Sequence, residues 1–422
     1  MTEGEILRLG MGLVVVGLIY AGVRRSRDWS DKPTLMAELV DTRLHYALAG
    51  LVLSLSAPVA MRKPLGEGAD LANVYLAGIW GLTVGCSFDL RLLRRFTRPL
   101  LWLEIGHLIL LAIVVWILTY GFFQVVVEEG ADAGRGAVMW TVCGLGAASW
   151  MRRRSGGRGK GKGKNVGWFP SVSAMAGILL AGIGLMQLRS GSFPVRQPLA
   201  FPQVIVVEGV WEGVLWCLVL GALVGLIVDL ATREVRRGHL YFLLAAGLLL
   251  GCGMALVLGL EPLWVGAVAG IWLINATLRR LDLLRALEQG QGLVRTVLPG
   301  VAGWTLGTAL LAGGFDLAFA GWILLILIVG VPAVRLGVWH GVGKLLERSA
   351  LRRTGVEPRQ LLELDDLALI VALGLVAVLP AAQGAALLAA ALVGQRLMHL
   401  VAVLAGDKLT RLTGARVGPQ AT

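Results

Sequence analysis

Basic residues fall almost entirely on every second connection between hydrophobic stretches, and this regularity limits what the chain can fold into. The apolar segments are 6–23, 45–61, 73–88, 100–123, 136–151, 170–187, 204–231, 239–259, 263–280, 298–314, 317–338, 366–380 and 383–404. Several approach the roughly 20 residues an α-helix needs to cross a bilayer core, and a few are shorter. Of the 39 lysines and arginines, 31 belong to one alternating set of connections. The opposite set carries Arg62, Lys63, Arg135, Arg189 and Arg196, and the remaining three lie within spans. Basic loops stay on the cytoplasmic side. The expectation is an all-α polytopic membrane protein with about 13 transmembrane helices, its N-terminus outside and its C-terminus inside.

Composition agrees. Hydrophobic residues make up 56% of the chain and charged residues 16%, against roughly 25% charged in a soluble domain. The spans run from end to end, so residues 1–422 form a single membrane domain. The net charge of +12 is explained by loops drawn to anionic headgroups, which makes membrane lipids the partner and not nucleic acid. Cys86, Cys143, Cys217 and Cys252 all lie in apolar spans without a CxxC pair, so neither a metal site nor a disulfide framework is implied. No cofactor is implied either. Glu3 and Glu5 precede the first span where a signal peptide would be basic, so that span is read as a retained helix. A bacterial-type inner membrane is the expected location.

The stretch 151–164, MRRRSGGRGKGKGK, is Gly-rich and basic, and reads as a cytoplasmic topology anchor or a polybasic lipid-binding patch. Residues 281–295 space Leu281, Leu284 and Leu287 helically, which predicts a short helix lying in the cytoplasmic interface. Thirteen spans divide into a six-span unit (6–187), a linker helix (204–231), a second six-span unit (239–404) and a cytoplasmic tail (405–422). Because six is even, the two units would be inverted relative to each other, a recurrent transporter architecture. The short spans 136–151 and 366–380 hold matching fifth positions. One contains Gly144, Gly146 and Ser149, and the other follows Asp365 and Asp366 and ends at Pro380. Short, interrupted spans in matching positions point to discontinuous helices crossing near the membrane centre.

Residues 78–95, GIWGLTVGCSFDLRLLRR, resemble the third span of the monovalent cation/proton antiporter-2 family, which ends in a G-L-E-x-D-L-x-x-L-R-R-like signature. Residues 259–280, GLEPLWVGAVAGIWLINATLRR, are similar to that family's G-L-S-P-L-L-G-A-F-x-A-G-L-x-L-S-N pattern, with Gly270 and Asn275 at its glycine and asparagine. Residues 298–338 resemble its tenth and eleventh spans, with Arg335 near a basic residue that helps hold the transport core. The resemblance implies a sodium/proton-antiporter fold, a homodimer, and alternating access between a dimerisation domain and a core of spans 4–6 and 11–13. The departures concern chemistry. The family's sixth span carries an Asp-Asp or Asn-Asp pair that binds proton and cation in turn. Here residues 170–187 read PSVSAMAGILLAGIGLMQ, whose polar side chains are Ser171, Ser173 and Gln187. The fifth span lacks its usual proline and reads Ala147-Ala148-Ser149-Trp150. Leu364-Asp365-Asp366-Leu367 stands where a Pro-Arg-Gly-Glu-like turn is usual.

Antiport needs a carboxylate in the membrane, where its charge is costly unless a cation or proton neutralises it. Glu104 and His107, three apart, share a helix face and could share a proton. Their place in the first two turns of a span also fits an interfacial pair in which Glu104 reaches water. Glu208 and Glu212 suit cation capture at the outer mouth, and Asp229 precedes Arg233 by four residues as a capping pair. Arg335 and Arg396, the latter between Gln395 and His399, should face the interior or snorkel to the cytoplasmic interface. Asn275 suits a hydrogen bond between helices. No nucleophile constellation, phosphate loop or H-E-x-x-H motif appears, so no enzymatic activity is implied. Two readings follow: a divergent secondary transporter moving a monovalent cation or proton, or a non-transporting membrane subunit that docks a partner protein through loops 152–169 and 339–365.

Overall fold

The computed structural model describes residues 3–28, 43–93, 98–126, 142–147, 172–190, 209–234, 239–345 and 364–412. These residues form helices joined by short turns and include no strand, and six of the helices are long and apolar enough to cross a membrane. An all-helical build is what a bilayer requires, because only a helix or a closed barrel satisfies its own backbone there. In chain order the helices are α1 Glu3–Asp28, α2 Leu44–Ser56, α3 Val59–Ser87, α4 Arg98–Val126, α5 Val172–Ser190, α6 Val210–Glu234 and α7 Leu240–Val257. After these come α8 Pro262–Ala276, α9 Arg280–Gly313, α10 Leu317–Leu325, α11 Val331–Leu345, α12 Asp366–Val376 and α13 Ala381–Leu412. A short helical stretch, 142–147, stands between α4 and α5.

Two crossings dominate the packing, α3 against α8 and α2 against α9. Both rest on glycine. A Cβ on Gly81 would strike the Leu263 carbonyl, and one on Gly303 would strike the Ala47 carbonyl. The contacts repeat in register. Gly266 meets the Gly78 carbonyl and the Leu82 amide, while Gly50 meets the Gly300 carbonyl and the Trp304 amide. The sequences agree as well: GIWGLTVG (78–85) and GVAGWTLG (300–307) share three glycines and a threonine at identical spacing. Lipid tails give no hydrophobic push between helices, so close backbone approach at small residues supplies the van der Waals contact.

Around these crossings α2, α3, α6, α7, α8 and α9 pack as one group. Helices α4, α10, α11, α12 and α13 pack as another, with α5 lying between the groups and α9 and α12 also bridging them. Two expectations are corrected. Residues 281–295 are not a separate interfacial helix: α9 runs unbroken from Arg280 to Gly313 through Pro299. Leu287 is buried, as is Leu283, while Leu281 stays exposed. Likewise the connection after the second span is helical, since α3 begins at Val59 and carries Arg62 and Lys63 in its first turns. The helix of the eleventh span contains a π-helical turn, Ile326–Gly330, just before Pro332 of α11, which has no amide hydrogen to donate.

Candidate functional site

The start of α5 is built against α4. Glu104 and His107 project from one face of α4 into the protein, 1% and 0% exposed. Glu104 therefore does not reach water as its place near the end of a span suggests. Its Oε2 accepts from the Ser173 backbone amide at 2.9 Å, in the first turn of α5, where negative charge is favoured by the exposed N–H groups and the helix dipole. Ser173 is fully buried; its hydroxyl donates to the Ala147 carbonyl at 3.3 Å and lies 2.9 Å from His107 Nδ1. A serine hydroxyl has one proton, so with that proton on Ala147 the His107 Nδ1 is the donor. The end of the 142–147 stretch, the start of α5 and the second turn of α4 thus close on one another. Gly144 allows this: the Ala181 backbone amide of α5 lies 2.5 Å from where its Cβ would be.

Arg335, on α11, is 1% exposed and lies within electrostatic reach of His107 and Asp365. Asp365 is the N-cap of α12; its side chain accepts from the Asp366 amide at 2.7 Å. Asp366 in turn accepts from Gln395 Nε2 at 2.8 Å and pairs with Arg295 at 3.7 Å. Glu104, His107, Ser173, Arg335 and Asp365 therefore form one buried polar group at the N-terminal ends of α5 and α12. Asp366 and Gln395 extend it toward α9 and α13.

Asn275 stands apart from this group. Its Nδ2 donates to the Phe88 carbonyl at 2.9 Å and the Ile271 carbonyl at 2.8 Å, and its Oδ1 accepts from the Leu90 amide at 3.0 Å. It ties the end of α8 to the break after α3, and Arg280 adds an ion pair to Asp89 at 3.4 Å. Asp229 pairs with Arg233 at 3.0 Å, and Glu212 is exposed. Ser149, Ser171 and Glu208 lie outside the described residues.

Sequence reasoning passed over Glu261, in GLEPL, where the resembled family carries serine. It is 4% exposed and N-caps α8 without a side-chain hydrogen bond to that helix. Its Oε1 lies 4.0 Å from where a Cβ of Gly374 on α12 would be. The signal was present: a lone carboxylate in a short turn between two apolar spans. Trp264, one turn later, donates to the Ile178 carbonyl of α5 at 2.7 Å. Among the described residues, no three His, Cys, Asp or Glu side chains gather as a metal site would require. No protein-family model matches this sequence, and neither does any curated protein.

Proposed function

We propose that this chain is a divergent secondary transporter on the sodium/proton-antiporter plan, with thirteen spans in a bacterial-type inner membrane and inverted six-span units around α6. The proposed ion-binding carboxylate is Glu104. Two observations support the plan. The α3/α8 and α2/α9 crossings repeat the same glycine contacts, α3 corresponding to α9 and α2 to α8, as repeated units would require. The packing of α4 and of α10 to α13 also agrees with part of the core that the resemblance implies.

One observation carries the site: Glu104 is 1% exposed yet holds the Ser173 amide at 2.9 Å. A carboxylate so enclosed is stable when a proton or cation neutralises it, and the two then compete for one place. The family's sixth-span aspartates are missing, and Glu104 of the fourth span presents its carboxylate to the start of that same sixth span.

A second reading, a non-transporting subunit that docks a partner protein through loops 152–169 and 339–365, is favoured by one observation. Residues Leu367 to Leu373 of α12 are apolar and buried, and Leu185 of α5 lies against α12 at Gly374. The discriminating experiment is proton flux in proteoliposomes across a panel of monovalent cations, for the wild type, Glu104→Gln and Arg335→Ala. Transport predicts cation-dependent flux that Glu104→Gln abolishes and Arg335→Ala reduces. Flux in no condition overturns the transporter reading, and flux unchanged in Glu104→Gln overturns the assigned site.

A further inference from the structure

Two arginines from two helices act on the Asp366 carboxylate, and a third, at the start of α2, lies within electrostatic reach of one of them. Arg295 of α9 lies 3.7 Å from Asp366 Oδ2. Arg396 of α13 interacts electrostatically with the same Asp366 and with Arg43, which N-caps α2. Arg43 and Arg396 are like charges held together, and Asp366 already accepts from Gln395. Among the described residues, the three arginines stand with one carboxylate, Asp366.

Unmet donors point the same way. Arg43 Nη1 and Arg396 Nε and Nη2 are buried atoms without a hydrogen-bond partner among the described residues, while Arg295 Nε has only the 3.7 Å ion pair to Asp366. Gln291, one helical turn before Arg295 on the same face of α9, is 6% exposed, and its Nε2 also has no partner. Leaving such donors unsatisfied costs free energy that a native structure normally recovers from a partner. Four such donors on three side chains, with Arg295 beside them, suit an acceptor that offers several oxygens. Guanidinium groups fit a phosphate in this way.

Access is suitable. The three arginines are partly exposed, and Leu48 of α2 with Leu397 and Val401 of α13 are exposed apolar neighbours in sequence. Helices α2 and α13 both pack on α9. The distribution of basic loops puts this end of the helices at the cytoplasmic face, where anionic headgroups are concentrated. We propose that Arg43, Arg295 and Arg396, with Gln291, bind a phosphate oxyanion at the cytoplasmic surface, supplied by a phospholipid headgroup or by free phosphate. This site is separate from Glu104 and does not depend on whether the protein transports.

The test uses the full chain, delipidated in a neutral detergent, with thermal unfolding and native mass spectrometry as readouts. The probes are phosphatidylglycerol, phosphatidylcholine and inorganic phosphate. Protection by phosphatidylglycerol beyond that by phosphatidylcholine, with one retained lipid, supports the site and names the lipid as its source. Protection by inorganic phosphate alone supports the site and names free phosphate. Arg43→Ala and Arg396→Ala should each weaken binding about tenfold or more, while Arg396→Lys keeps part of it and Arg62→Ala, on the opposite face, keeps all of it. Should Arg396→Ala fail to fold, Arg43→Ala and Arg396→Lys give the same reading. No response to phosphatidylglycerol or phosphate overturns the proposal. So does an equal response in wild type and in the arginine variants, or an equal loss in Arg62→Ala.

Discussion

The Ser173 amide donates to Glu104 Oε2 across 2.9 Å, so the first turn of α5 is closed by a carboxylate from α4. The bond joins the fourth span to the start of the sixth, the span on which the resembled family keeps its ion-binding aspartates. It gives Glu104 a structural duty beside any ionic one, and the two can be separated.

Glu104→Gln keeps an oxygen that can accept from Ser173 but removes the charge. Thermal unfolding in detergent should shift by no more than about 1 kcal/mol, the net worth of an ordinary hydrogen bond. Cation-coupled proton flux should fall about tenfold or more, because the neutral amide cannot exchange proton for cation. Glu104→Ala should lose both, since it also strips the acceptor from a buried amide. Equal loss of stability in the two variants would contradict this division of labour.

Gly81 and Gly303 hold matching places in the two glycine crossings. At each, an added methyl would meet a backbone carbonyl of the facing helix, which has no rotamer to turn away. Gly81→Ala and Gly303→Ala should each destabilise by about 1–3 kcal/mol, the usual cost of overpacking. Gly10→Ala and Gly321→Ala, with nothing within 4 Å of the new Cβ, should be near neutral. Unfolding midpoints of the four variants check the pattern, and a near-neutral Gly303→Ala would break the equivalence of the crossings.

Much of the architecture was legible. Hydrophobic length and basic loops pointed to helical spans, and Asn275 read as a link between helices, which the bonds to Phe88 and Leu90 bear out. The depth of Glu104 was not legible. Its distance from the end of its own span says nothing about which other segment covers that turn, and the cover comes from Ser173, distant in sequence. The likeness of GIWGLTVG and GVAGWTLG was in view, but only glycines and a threonine are shared, and glycine is common in membrane helices. Contact between backbones makes that spacing meaningful. The interfacial helix at 281–295 was misread because helical leucine spacing is the same whether the apolar stripe meets lipid or Tyr241 and the neighbouring helices; the Gly290 backbone stands close to that tyrosine ring.

Asn275→Ala should cost about 1–2 kcal/mol, in the range measured for polar contacts between membrane helices. The loss comes from the Leu90 amide and the Phe88 carbonyl, which no longer have a shared partner. Asn275→Asp should cost more, because an aspartate can still accept from Leu90 but puts a second acceptor against two carbonyls. Flux through the protein should change less than stability in both. An asparagine variant that abolishes flux while leaving the unfolding midpoint in place would move Asn275 into the ion path.

Arg335 and Asp365 supply the sharpest test of the polar group, because they join α11 to the start of α12 across the interior. Asp365 is the carboxylate that acts on the fully buried Arg335, and separating a buried charge from its counter-charge costs about 3–5 kcal/mol. Arg335→Ala should therefore be severely destabilising. Asp365→Asn should be milder, since the amide oxygen can still accept from the Asp366 amide as an N-cap. The double variant should be more stable than the sum of the two losses predicts, by about 1 kcal/mol or more, as for residues in direct contact. Additive losses in that cycle would mean that Arg335 draws its stability from His107 and helix-end carbonyls, with Asp365 serving only as a cap.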